Sequence, residues 1–174
     1  MPTQVIQVTP FPTENWTITP VEKPTGSRES SWVMVLSGVG IVTLQGNLPN
    51  DYLRETLLIA PDIDSPMRYA LEKYPTSHGL HTLHEVEGRL AFLVDQWAPF
   101  AAISSFYDTE TGSSVHVGFA VDNWRLHGSN AASQPFSGIE VDIALLNKTV
   151  LYRVSYQITL VGRIIHERPA ATHL

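Results

Sequence analysis

From residue 150 to 161 the chain alternates for six pairs: Val150, Tyr152, Val154, Tyr156, Ile158 and Leu160 are interleaved with Leu151, Arg153, Ser155, Gln157, Thr159 and Val161. A strand turns successive side chains to opposite faces, so a two-residue period held this long specifies one strand with a single buried face. A one-residue slip would exchange that face for the other, and the register is correspondingly well defined. A chain built around such an element needs other strands beside it and an apolar layer across from it.

Further strands follow from the same reasoning. Trp32, Met34 and Leu36 alternate with Val33, Val35 and Ser37, and Val39, Ile41 and Thr43 continue beyond Ser37-Gly38. This element is apolar on both faces, which implies cover on both sides or an oligomer contact, with Gly38 and Gly40 expected at a bulge or a close approach. Tyr52 to Ala60 suits either period, with Glu55–Ile59 favoured as strand. Leu80 to Val86 and Arg89 to Val94 read as a hairpin turning at Glu87-Gly88. Trp97 to Tyr107 and Val115 to Val121 follow as strands around Asp108–Gly112, and Ile139 to Leu145 precedes the long strand. In Val115–Val121 the odd positions, including Phe119, share one face. Ser65-Pro66 followed by Met67–Tyr74 and closed by Pro75 is the one helix expected, over 66–74, with Ser65 as cap and Pro66 in the first turn.

Five of twelve prolines lie in the first 24 residues. Proline fixes φ and lacks the backbone donor, so this part reads as an extended arm suited to a sheet edge or a neighbouring subunit. The expected organisation is an arm over 1–30, a β domain over 31–166 and a tail over 167–174. The fold class is all-β: one antiparallel barrel or sandwich of about eight strands, two alternatives that periodicity does not separate.

Composition narrows function mainly by exclusion. The 174 residues include no cysteine, so disulfides, thiolate nucleophiles and thiolate metal sites are ruled out. Net charge is −6, and residues 50–110, with ten acids against four bases, account for all of it. Without clustered Lys/Arg to neutralise phosphates, nucleic acid and anionic membrane are poor partners. The N-terminal residues have neither a basic region nor a long apolar run, from which a soluble, cytoplasmic protein is expected. The sequons at Asn15 and Asn147 therefore carry no weight.

Candidate chemistry is sparse. His78, His81, His84, Glu85 and Glu87 are the densest set of potential ligands, but on a strand His84 falls opposite His81, Glu85 and Glu87, so no metal site is expected. Asp62 and Asp64 are explained by a loop entering a helix, with Asp64 favourable at the positive end of the macrodipole. No nucleophile elbow, Walker loop or dinucleotide fingerprint occurs, and no cofactor is expected. The aromatics are more suggestive: Tyr152 and Tyr156 on the best strand, with Phe119 and Trp124, would line an apolar pocket with polar handles. The leading expectation is a cofactor-free barrel that binds a small apolar molecule and could act on it as a cyclase or isomerase. The alternative is a non-catalytic structural or lectin-like module. A homo-oligomer is expected in either case.

Overall fold

The computed structural model describes residues 5–7, 9–10, 15–21, 31–45, 52–74, 89–108, 118–127, 135–146 and 149–167. Among these lie nine strands and one helix: β1 (Val5–Gln7), β2 (Thr9–Pro10), β3 (Asn15–Val21), β4 (Ser31–Gln45), β5 (Tyr52–Ile59), α1 (Asp64–Lys73), β6 (Arg89–Asp108), β7 (Gly118–Leu126), β8 (Ile139–Leu146) and β9 (Thr149–Glu167). One sheet runs β1-β5-β8-β7. The other runs β4-β9-β6, with β2 and β3 both paired along the free side of β4. Every pairing is antiparallel except that of β1 with β5.

The long alternating segment is the centre of the five-stranded sheet. Val154, Tyr156, Ile158 and Leu160 are buried while Arg153 and Gln157 are exposed, as the period requires. On β4 the buried hydrophobic residues among those described are Trp32, Met34, Leu36 and Val42. Their counterparts in the other sheet are Leu57 and Ile59 on β5 and Ile139, Val141, Ile143 and Leu145 on β8, and the two sets form one continuous apolar cluster. Two sheets thus share one core in a sandwich-like arrangement, and among the described residues no barrel closes. Residue 8 separates β1, paired in one sheet, from β2, paired in the other, so the N-terminal segment bridges the layers at one side. At the other side β7 and β6 share no ladder among the described residues, and the barrel alternative fails there.

The layers are unequal. β4, β6 and β9 have 15, 20 and 19 residues, whereas β5, β7 and β8 have 8, 9 and 8. At roughly 3.3 Å per residue the long strands outreach the short sheet by tens of ångströms. Helix α1 packs against β3 and β6, supplying buried Pro66, Met67, Ala70 and Leu71. Trp16 of β3 lies 5.3 Å from Tyr69 and Trp32 of β4 lies 5.7 Å from Tyr74, measured between ring centroids.

Three local expectations are corrected. The helix starts at Asp64 and its cap is not Ser65: the Asp62 carboxylate accepts the N–H of Asp64 (2.9 Å) and of Ser65 (3.4 Å), and the Ser65 hydroxyl (2.6 Å). Arg89–Val94 and Trp97–Tyr107 are one strand, because a bulge between Val94 and Gln96 absorbs the polar pair Asp95-Gln96 without ending the ladder, and Pro99 is tolerated on an edge strand. Gly38 and Gly40 pair regularly with Tyr156 and Val154, and the irregularity of β4 lies between Ile41 and Leu44. Residues 15–21 of the expected arm run along β4, so of the two expected placements they take the sheet edge. The hairpin turn at Glu87-Gly88 and the residues Val115–Val117 lie outside the described residues.

Candidate functional site

Two features stand out on the surface of this sandwich. The first is a polar network on the outer face of the four-stranded sheet. Glu140 and Asp142 alternate with buried Ile139, Val141 and Ile143 on β8, so both carboxylates point away from the core. Their partners come from β7 through a bulge between Val121 and Asn123, where Asp122 is the extra residue. The bulge reverses the parity of the strand. Val121 and Trp124 thereby pair with Ile143 and Val141 on the core side, while Asn123 and Arg125 pair with Asp142 and Glu140 on the outside.

Arg125 donates from Nη1 to Asp142 Oδ2 at 2.6 Å and from Nε to Glu140 Oε2. Thr56 of β5, itself buried, donates its hydroxyl to Asp142 Oδ1 at 2.7 Å. His127 Nδ1 lies 2.7 Å from Glu140 Oε1. The Arg125 guanidinium, helped by the Thr56 hydroxyl and Asn123, holds the Asp142 carboxyl below the usual carboxylate range. His127, then Arg125, does the same for Glu140. All four carboxylate oxygens thus accept hydrogen bonds from groups on the same face, which makes the network a clamp across β5, β8 and β7 rather than a poised acid or base.

The second feature is a groove at the helix end of the sandwich. It is lined by Ile63, Asp64 and Met67 of the α1 region, by Arg89, Leu90 and Ala91 at the start of β6, and by Pro135, Phe136 and Ser137. Its volume is about 430 Å³, within the range of small-molecule sites. Met67, Leu90 and Phe136, each no more than 7% exposed, form its base, and the surface it presents is mixed polar and apolar. Residues 135–138 are fixed at both ends: Phe136 N–H donates to Phe92 O at 2.8 Å and His127 N–H to Gly138 O at 2.9 Å. Gly138 has φ +144°, and a Cβ there would lie 2.7 Å from the carbonyl oxygen of Ile59.

The residues singled out from sequence are distributed differently. Tyr156 is 4% exposed, in the core on the five-stranded sheet, and its register partner on β4 is Gly38, which brings no side chain. Trp124 packs partly buried against the same core from the opposite sheet. Phe119 pairs with Leu145 on β8, and Tyr152 belongs to β9; their side chains lie outside the described residues. Neither Trp124 nor Tyr156 is among the described residues that line the groove. The His78–Glu87 group also lies outside the described residues, and among those described no cluster of three His, Asp or Glu side chains suits a metal ion. No described helix is long and apolar enough to cross a membrane.

The groove had no sequence signature, since its three walls come from segments separated by more than twenty residues with ordinary composition. The network had a partial one in the alternation of Glu140 and Asp142. No protein-family model matches the chain, and neither a curated protein nor a solved structure matches it.

Proposed function

We propose that the protein is a ligand-binding β-sandwich that holds a small, largely apolar molecule in the groove between α1, the start of β6 and residues 135–137. The observation that carries this reading is the groove itself: about 430 Å³ over a floor of Met67, Leu90 and Phe136. A depression of this size with partly apolar walls gains free energy when a molecule of matching shape displaces water from them. Decanol, measured by isothermal titration calorimetry, is a suitable neutral probe. Ser137→Trp, at an exposed position on the groove wall, should abolish binding while the unfolding midpoint is kept. Tyr156→Phe should leave decanol binding unchanged; loss of binding there, with Ser137→Trp behaving as wild type, would return the ligand to the aromatic set of Phe119, Trp124, Tyr152 and Tyr156.

A second reading, a non-catalytic oligomeric module, is favoured by the outer face of the five-stranded sheet. Val33, Val35, Val39 and Ile41 of β4 and Val161 of β9 are only half-buried there, and in register Val33 stands between Thr19 and Val161 while Val35 stands between Thr17 and Thr159. A second copy of the same flat β-branched face would complement it. Light scattering on wild type and Val35→Lys tests it, with a dimer reduced to monomer as the supporting result and a monomer throughout as the contrary one.

A further inference from the structure

The charges on the described lining of the groove are unequally paired, and that inequality bears on the kind of ligand it fits. Among the described residues, the charged side chains that line it are Asp64 and Arg89. Asp64 is already committed: Arg68, one helical turn later, donates from Nε to its Oδ2 at 2.6 Å. Arg89 is exposed at the first position of β6 and makes no ion pair with another described residue. Of the charges on the groove's described lining, Asp64 is thus paired and Arg89 has no described counter-ion, on a chain whose net charge is −6.

Resting on the ligand-binding reading above, we propose that the ligand is an amphipathic anion: an apolar body lies over Met67, Leu90 and Phe136, and a carboxylate or comparable head group is received by the Arg89 guanidinium. The guanidinium presents a planar fork of donors matched to a carboxylate, and its charge attracts that head group at the groove mouth, where an ammonium is repelled and a neutral acceptor gains less. Leu90 and Ala91 line the groove together with Arg89, so it offers charged and apolar contacts side by side, as a molecule with one polar end requires.

The test is calorimetric titration of the full chain at pH 7 with decanoate and, separately, with decanol. Arg89→Gln should weaken decanoate by about tenfold or more, the scale of one charge-assisted hydrogen bond, and leave decanol unchanged. Rising salt should weaken decanoate binding in the wild type more than in Arg89→Gln. If Arg89→Gln alters neither probe, or both equally, the anion assignment is overturned while the groove remains a binding site. If neither probe binds the wild type, both readings fall together.

Discussion

Gly162 of β9 lies beneath the backbone of β6 so closely that a Cβ built on it would be 1.9 Å from the carbonyl oxygen of Leu93, and 2.8 Å from the ring of Phe92. This contact sits beside the bulge between Val94 and Gln96, where β6 bends against β9. Glycine is required there for space rather than for its φ. Gly162→Ala must displace backbone, so it should destabilise by about 2 kcal/mol or more, as overpacking does in tight sites. Urea denaturation checks this, and a midpoint equal to wild type would mean the strands do not approach so closely.

The buried register of β9 gives a paired prediction. Val154 is 4% exposed and Gln157 is on the outer face. Val154→Lys places an ammonium in the core and should cost several kcal/mol, whereas Gln157→Lys should stay within about 0.5 kcal/mol. Similar unfolding midpoints for the two variants would contradict the register.

The clamp on the outer face should confer acid sensitivity. Asp142 and Glu140 both have lowered carboxyl pKa values in the fold. Their contribution is therefore fully present above the unfolded values near 4 and is lost as pH falls through the folded ones. Arg125→Met should reduce stability at pH 7 by an amount of order 1 kcal/mol, since the guanidinium is 41% exposed and partly screened. The gap between variant and wild type should narrow below about pH 4. A gap that stays constant from pH 7 to pH 3, measured by urea unfolding, would show that Arg125 acts through packing alone.

At the helix start, Asp62→Ala removes the acceptor for two backbone N–H groups and one hydroxyl. A loss of about 1 kcal/mol is expected, with Ser65→Ala costing less because it leaves both backbone bonds in place. If Ser65→Ala proved the more damaging, Asp62 would not be the cap.

What the sequence made legible was what depends on local period. The alternation over 150–161, the Trp32–Leu36 pattern and the Ser65-Pro66 signal each report a stretch whose burial is set by its own residues. Bulges defeat that kind of reading. Counting by two from Phe119 puts Trp124 on the far side of β7, yet the extra residue Asp122 brings it to the core and turns Arg125 toward Glu140. At Asp95 a bulge disguised one 20-residue strand as two. The groove depends on how far the long strands extend past the short sheet and on α1 lying across them, a relation among distant segments that no window of sequence contains.

The central claim is that a small molecule lies in the groove, and the most direct measurement is amide chemical-shift mapping of isotopically labelled protein titrated with decanoate. Perturbations concentrated at Met67, Leu90, Ala91, Phe136 and Ser137, saturating with ligand and absent in Ser137→Trp, are the predicted result. Perturbations centred instead on Trp124 and Tyr156, or no saturable shifts up to the solubility limit of the probe, would contradict it.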